Sequence, residues 1–362
     1  MLKRLSSNHL RRSSYLWLGA LALILLPWVV GASGGNYWVR VLDFALLYIV
    51  LALGLNVVVG FAGLLDLGYI AFYALGAYSY ALLASPHLPQ HFETIAAAFP
   101  QGMHFSPWMV AVFSIILAAL FGIILGFPTL QLRGDYLAIV TLGFGEIIRI
   151  FMNNLDRPMN LTNGPKGITA IDPIQMFGVS FTKPLDFGFV QVPSLYLVFY
   201  LFLILAIAVT VVCLHLQHSR IGRAWVAIRE DEIAAKAMGI NTRNMKLLAF
   251  AIGASFAGVA GVLFSAFQGF VSPESFTLWE SIVVLAMVVL GGIGHIPGVI
   301  LGAIVLAVFP EILRGVAEPV QKVLFGHVVV DVEVIRQLIY GLALILIMLY
   351  RPGGIWQKKG DQ

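Results

Sequence analysis

The chain has 362 residues, of which 60% are hydrophobic and only 11% are charged. Because soluble domains carry roughly 25% charged residues, this composition excludes a soluble enzyme, a disordered chain and a nucleic-acid-binding module. The net charge of +4 is then a signal of membrane topology, since Lys and Arg concentrate in cytoplasmic loops. The single cysteine, Cys213, excludes an internal disulfide framework.

Ten apolar segments follow one another along the chain. A helix needs about 20 mostly apolar residues to cross the hydrocarbon of a bilayer, and these segments come close to that length. They cover residues 15–30, 39–59, 67–84, 107–127, 136–152, 193–215, 247–269, 277–290, 299–313 and 334–349. The sequence therefore predicts an all-α, polytopic integral membrane protein with about ten transmembrane helices. For the first segment, a cleaved signal peptide is the alternative to a span.

The basic residues support this topology. With the N-terminus in the cytoplasm, ten spans place fourteen of the 22 Lys and Arg residues inside and seven outside, and Arg149 falls within a span. This asymmetry agrees with the positive-inside rule, so we expect the N- and C-termini to be cytoplasmic. Residues 1–14 and 351–362 are then cytoplasmic tails on either side of one transmembrane domain, residues 15–350.

The most polar stretch between two apolar segments is 216–246, which carries six basic residues. The acids Glu230, Asp231 and Glu232 favour the N-terminus of a short helix, and the alanines that follow favour its continuation. A glycine that can adopt a left-handed conformation, Gly239, would end it. We predict a short charged helix that opens at Arg229. Since a connector needs only a few residues, this segment is either a docking surface for a cytoplasmic partner or a solvated link.

Several stretches resemble permease subunits of bacterial branched-chain amino acid ABC importers. They are GLNVVVGFAGLLDLGYIAFYALGAY (54–78), LQLRGDYLAIVTLGFGEIIRI (130–150), GRAWVAIREDEIAAKAMGI (222–240), QGFVSPESF (268–276) and VLGGIG (289–294). The resemblance covers roughly residues 54–314 and implies a type II-like ABC importer permease. The Ile-x-Leu-Pro tail of the commonest coupling motif is missing, which favours the ten-span importer class over the six-span class.

The resemblance implies that segment 216–246 is the coupling segment, which contacts the ATPase. Its candidate ATPase-coupling residues are Arg223, Arg229, Glu230, Asp231, Glu232, Ala234, Ala235 and Gly239. The implied partners are a second, homologous permease, two cytoplasmic ATPase subunits and a periplasmic binding protein, all at the bacterial inner membrane. The chain has no P-loop, so ATP and Mg²⁺ are expected in the partner subunits and no cofactor on this chain.

Few polar residues fall near or within the predicted spans, where they are costly and usually functional. Glu146 and Arg149, spaced i,i+3, share a helix face and form either a structural ion pair or part of the translocation path. Asp66 lies in a Gly-rich turn, where it caps the next helix or faces the path. Ser272 and Glu274 lie in a loop that either belongs to the translocation path and meets a binding protein or is a plain interhelical turn. Glu146 is expected to be the one clear carboxylate within the spans.

Other functions remain open at this stage. The apolar path suits leucine, isoleucine or valine, and an ABC permease for urea, short amides or other amino acids is the nearest alternative. An ion-coupled secondary transporter would need carboxylates within the membrane. A membrane enzyme would need clustered His, Asp and Glu residues. His87, His91 and His104 share one outer loop, but scattered loop histidines are typical of a solvated surface, so no metal site is predicted.

Overall fold

A computed structural model describes residues 19, 21–100, 102–129, 132, 134–176, 179–181, 184–186, 191–325, 327, 330–350 and 353–354. The predicted N-terminal tail lies outside these residues, as does nearly all of the C-terminal tail. Fourteen α-helices form in the described part of the chain. They are α1 (Leu21–Gly34), α2 (Asn36–Asn56), α3 (Ile70–Leu83), α4 (His87–His91), α5 (Glu93–Ala98), α6 (Pro107–Thr129), α7 (Asp135–Asn154), α8 (Ser194–His218), α9 (Arg220–Glu230), α10 (Glu232–Ala237), α11 (Thr242–Gln268), α12 (Leu278–Gly291), α13 (Ile296–Phe325) and α14 (Val332–Tyr350).

Each of the ten predicted apolar segments coincides with one of these helices in its described part. Seven helical stretches are long and apolar enough to cross a membrane, namely Asn36–Phe61, Pro107–Thr129, Ser194–His218, Thr242–Gln268, Pro273–Gly291, Ile296–Val323 and Val332–Tyr350. The apolar helices α1 and α3 are shorter, and α7 carries Asp135, Glu146 and Arg149. The chain is therefore a multi-pass membrane protein.

Helix α11 packs at the centre of the bundle because small residues let its neighbours approach closely. A Cβ atom added to Gly76 of α3 would lie 2.1 Å from the carbonyl oxygen of Gly258 in α11. A Cβ added to Gly261 would lie 2.2 Å from the carbonyl oxygen of Tyr73 in α3. On another face of α11, Gly253 lies against α2, where a Cβ would lie 3.0 Å from the carbonyl oxygen of Gly54. Backbone contact of this kind leaves no room for a side chain.

Helix α2 continues into a π-helical turn, Val57–Phe61. The amide of Ala62 donates to the carbonyl of Val57 at 3.2 Å, and that of Leu64 donates to the carbonyl of Val58 at 3.0 Å. This wider winding departs from the regular α-helical ladder, and the last carbonyls of the helical stretch have no partner within it. The chain then passes through Gly63, whose φ of +69° suits glycine, to reach α3.

The prediction of an all-α fold holds for the bundle but misses six two-residue strands outside it. Strand β1 (Ile168–Thr169) pairs antiparallel with β6 (Phe270–Val271), with Ile168 opposite Val271. The hairpins β2 (Gln175–Met176) with β3 (Val179–Ser180) and β4 (Leu185–Asp186) with β5 (Gln191–Val192) complete the set. Paired strands satisfy backbone groups of extended loops that a helix cannot satisfy, and β1 ties the long loop to the end of α11.

Candidate functional site

Segment 216–246, called the coupling segment for its predicted role, contains two short helices, α9 and α10, between the end of α8 and the start of α11. Ser219 caps α9 by accepting from the amide of Gly222 at 3.1 Å. Asp231 caps α10 by accepting from the amides of Ile233 and Ala234 at 2.8 Å and 3.0 Å. The prediction that the second helix opens at Arg229 is therefore wrong. Aspartate is a strong N-cap residue, so the break falls at Asp231, and Arg229 ends α9 instead.

The end of α10 forms as the sequence predicts. Gly239 has φ +84°, a left-handed conformation that glycine adopts without steric cost. Two residues later, the side chain of Asn241 accepts from the amide of Asn244 at 3.1 Å and caps α11. The turn at Gly239 thus sets the direction from α10 into α11.

Three side chains anchor the coupling segment to the bundle. The buried indole of Trp225 donates to the carbonyl of Met245 at 2.7 Å. Glu232 forms an ion pair of 2.7 Å with Lys246, whose side chain is only 6% exposed. Arg229 donates from Nη1 to the carbonyl of Gly60, in the π-helical turn, at 2.7 Å. The first two anchors bind α9 and α10 to the start of α11, and the third reaches the end of α2.

The outer face of α10 is apolar. Ile233 and Met238 are 70% and 83% exposed, and the exposed Ala234 and Ala237 lie between them. Ile233 and Ala237 are spaced i,i+4 and share a side of the helix, and Ala234 has the same spacing to Met238, the residue that follows α10. These four exposed residues are hereafter the α10 patch. Ala235 is buried on the opposite side. Large exposed apolar side chains grouped together mark an interaction site.

Ala234 was among the predicted ATPase-coupling residues, whereas Ile233 and Met238 were not. The signal was present, since these two large apolar residues stand in an otherwise charged and alanine-rich segment. Of the other candidates, Arg223 donates to the carbonyl of His218 at 2.8 Å. Glu230 is exposed and lies 3.4 Å from the guanidinium of Arg229.

Glu146, Arg149 and Glu274 meet at the other end of α11. The Nε atom of Arg149 donates to both carboxylate oxygens of Glu146 at 3.1 Å, and its Nη1 lies 3.4 Å from Glu274. Glu274 belongs to a 3₁₀ turn, Pro273–Phe276, so the cluster joins α7 to the segment before α12. Ser272, the residue before this turn, has its hydroxyl 3.4 Å from that of Ser275. Glu146, Arg149 and Glu274 thus form one cluster, and Ser272 lies next to it in the chain.

Asp66 lies apart from that cluster. It is fully buried, and its Oδ1 accepts from the amide of Gly68 at 2.9 Å, so it shapes the turn before α3 rather than capping Ile70 directly. The neighbouring amide of Leu67 donates to Thr141 of α7 at 3.0 Å. Burial raises the pKa of Asp66 to about 7, although the hydrogen bonds from Gly68 and Thr141 lower it.

The expectation that Glu146 is the one clear carboxylate within the spans is wrong. Asp43 in α2 is fully buried, and neither of its oxygens has a hydrogen-bond partner among the described residues. Glu280 in α12 accepts from the hydroxyl of Tyr48 at 3.0 Å beside a cavity of about 240 Å³ that Arg336 and Tyr340 also line. In the sequence, both acids lie near the ends of apolar segments, where charges usually reach the interface.

The three histidines between α3 and α6 do not come together. The rings of His87 and His91 are tilted by 42° with centroids 4.4 Å apart, while His104 pairs with Asp172 at 2.6 Å. Burial, and to a smaller extent His91, lower the pKa of His87. Among the described residues, no group of three or more His, Cys, Asp and Glu side chains is placed to hold a metal ion.

The bundle and its anchored polar segment define a class of protein, a multi-pass membrane protein with an exposed apolar patch on a polar segment. Comparison with known proteins gives the family. The family model for the branched-chain amino acid transport system permease component matches residues 37–348, so the chain belongs to that family. Its members are transporter subunits and not enzymes.

Three relatives illustrate the similarity. The permease protein LivM of the high-affinity branched-chain amino acid transport system of Escherichia coli is 43% identical over 94% of this chain and 74% of its own length. The corresponding permease protein BraD of Pseudomonas aeruginosa is 30% identical over 85% of this chain and 91% of its own. The Escherichia coli permease protein LivH is 26% identical over 85% and 90%. No solved structure matches the chain.

Proposed function

We propose that this chain is the permease subunit of an ATP-driven importer that moves leucine, isoleucine or valine across the bacterial inner membrane. The similarity to LivM over 94% of the chain is the observation that carries the proposal. ATP hydrolysis belongs to separate subunits, because this chain has no P-loop. A periplasmic binding protein delivers the substrate, and the permease itself adds little affinity.

In this proposal the chain crosses the bilayer ten times, with both termini and the coupling segment in the cytoplasm. The distribution of basic residues supports that orientation. The anchored cluster of Glu146, Arg149 and Glu274 then lies on the periplasmic side, because α11 separates it from the coupling segment. There it fixes the end of α7 beside the path, and Ser272 and Glu274 face the binding protein.

The α10 patch is the proposed contact with the ATPase. Its exposed Ile233 and Met238 bury apolar area when they enter a groove of that partner, which contributes roughly 25 cal/mol per Å². The charged Arg223 and Glu230 then lie at the rim of the contact, where such residues guide association more than they stabilise it. ATP and Mg²⁺ bind within the ATPase pair.

A second permease completes the pore in this proposal. Escherichia coli has two permease proteins with the same system name, LivM and LivH, and the chain is similar to both. Helix α14 also leaves a large apolar surface outside the bundle, with Leu338 and Leu349 each 70% exposed. Lipid and a partner permease are the surroundings that suit such a surface.

Uptake by proteoliposomes tests the proposal. The chain is purified with a partner permease and two ATPases, reconstituted, and supplied with the binding protein and radiolabelled leucine, isoleucine, valine or urea. We expect uptake of the branched-chain amino acids only when ATP is present. Uptake of urea alone would move the chain to the short-amide importers.

An ion-coupled secondary transporter is the second candidate, since Asp43 and Glu280 provide the carboxylates that such a mechanism needs. The same experiment decides between the two. Substrate accumulation that follows an imposed proton or sodium gradient without ATP would refute the ATP-driven mechanism.

A further inference from the structure

Arg229 belongs to the polar coupling segment, but its guanidinium turns inward to the bundle. Nη1 donates to the carbonyl of Gly60 at 2.7 Å, and a Cβ added to Gly63 would lie 2.5 Å from the Cγ of Arg229. The arginine stem therefore passes directly over the turn after α2. The side chain of Arg229 is 35% exposed, and Nη2 lies 3.4 Å from Glu230, so Nη1 is the part of the guanidinium that is fixed to the bundle.

The carbonyl that Arg229 contacts is available because Gly60 lies in the last turn of the helical stretch, which ends at Phe61. The last four carbonyls of a helix have no partner within the helix, and a cation is favourable beside them. Arg229 lies in the last turn of α9, so this bond joins the end of α9 to the end of α2.

The contact extends to a third element, the loop between α12 and α13. Asn56, a buried residue at the end of α2, accepts from the amide of Gly294 through its Oδ1 at 2.9 Å. Gly294 has φ +83°, and a Cβ there would lie 3.1 Å from Nη1 of Arg229. The α12–α13 loop therefore touches both the asparagine and the arginine.

We propose that Arg229, Gly60, Asn56 and Gly294 form a transmission node, in which Arg229 is a positioning residue and not an ATPase contact. The node couples movement of α9 to α2 and to the α12–α13 loop at once. The other two anchors described above, Trp225 and Glu232, bind the coupling segment to the start of α11. A displacement imposed on α10 by the ATPases thus reaches two further spans through Arg229. This inference rests on the proposed function.

Substitutions at the two ends of the node test it. Arg229→Gln removes the positive charge, and Arg229→Lys keeps that charge on a single donor nitrogen. Asn56→Ala removes the acceptor for the amide of Gly294 without altering the coupling segment. Arg220→Gln, an exposed position on the same helix, is the control. Each variant is purified with its partners, and co-purified ATPase, ATP hydrolysis and uptake are measured.

We expect Arg229→Gln and Asn56→Ala to retain both ATPases and continued ATP hydrolysis but to lose uptake by about tenfold or more, a coupling loss within the usual range. Arg229→Lys should recover part of the uptake, and the double variant with Arg229→Gln and Asn56→Ala should transport no less than either single variant.

Unchanged uptake in Arg229→Gln would overturn the node. Loss of the ATPases in that variant would also overturn it, because Arg229 would then be a docking residue. If Arg229→Gln does not fold, Asn56→Ala decides.

A distance measurement separates failure of the node from failure of the proposed function. Spin labels at Val226→Cys and Ile293→Cys, both partly exposed positions, report α9 and the α12–α13 loop in a Cys213→Ser background. Trapping the assembled complex with ATP and vanadate should leave their distance distribution narrow. Arg229→Gln should broaden it, whatever the transported substrate is, and an unaltered distribution in that variant would overturn the node. Absence of ATP-driven uptake in the unmodified complex would refute the proposed function alone.

Discussion

Asp66 is a buried carboxylate with few hydrogen-bond partners, so its ionisation lowers the stability of the folded bundle. Its carboxylate accepts from the amide of Gly68, and the turn that this bond closes brings Leu67 to Thr141 of α7. Asparagine preserves the Oδ1 acceptor without a charge. The shape of the turn and the ionisation of the side chain can therefore be separated by one substitution.

Asp66→Asn should stabilise the complex in a pH-dependent way. The pKa of Asp66 is about 7 in the folded protein, above its ordinary value of 3.8, so the folded state binds more protons and loses stability as pH rises through that window. The Tm difference, Asp66→Asn minus unmodified, should increase from about pH 5 to about pH 7 and then stay level. Thermal unfolding of the detergent-purified complex measures it. A Tm difference that stays constant across this range would show that the pKa of Asp66 is not raised in the folded protein.

At the scale of elements, the coupling segment shows how a polar sequence builds two short helices and a patch. Side-chain caps at Ser219, Asp231 and Asn241 fix where α9, α10 and α11 begin. These caps hold the α10 patch outward while Trp225 and Lys246 hold the opposite side to α11. The patch is thus presented on a rigid support, which favours affinity because little order must be gained on binding.

Ile233→Asp or Met238→Asp should release the ATPases. A carboxylate at either position cannot enter an apolar groove without a desolvation cost of several kcal/mol, while the patch is exposed enough for the permease to fold unchanged. The ratio of ATPase to permease after affinity purification measures the effect. Asn244→Asp, an exposed change of the same charge at the start of α11, is the control. Normal ratios in both patch variants would place the ATPase contact elsewhere.

Much of this element could be predicted from the sequence, and the reasons for the misses are physical. Helix capping and the left-handed conformation of glycine depend on neighbouring residues in the sequence. The end of α10 at Gly239 and the start of α11 at Asn241 were therefore predictable. The pairing of Arg229 with Gly60 joins residues 169 positions apart, and no local pattern encodes it. Asp43 and Glu280 were missed for the same reason, because their burial depends on which helices pack against α2 and α12.

At the scale of the whole molecule, the fold depends on backbone contact at α11. The ten apolar segments were visible because lipid imposes length and hydropathy on each helix separately. Which glycines lie at an interface is decided by the packing of helices distant in sequence. Gly76 and Gly143 look alike in the sequence, yet a Cβ at Gly76 meets the backbone of Gly258 while nothing lies within 4 Å of Gly143.

Gly76→Val should therefore prevent assembly of the complex or lower its free energy of unfolding by about 2–3 kcal/mol, since backbone atoms cannot move aside for a side chain. Gly143→Ala should be neutral or slightly stabilising, because alanine favours helix by about 1 kcal/mol relative to glycine. The yield of monodisperse complex and its Tm, compared for the two variants, measure the difference. Equal stability would mean that α3 and α11 are not in backbone contact.

The exposure of Ile233 and Met238 has a consequence for the life of the protein before assembly. A permease that has been inserted without its ATPases displays two large apolar side chains to water at the base of the bundle. Such a surface favours self-association and recognition by proteases that remove orphan subunits. Production of the chain alone should accordingly yield aggregated or degraded material. Balanced synthesis of all subunits should yield intact complex, and this links the abundance of the permease in the cell to that of its partners.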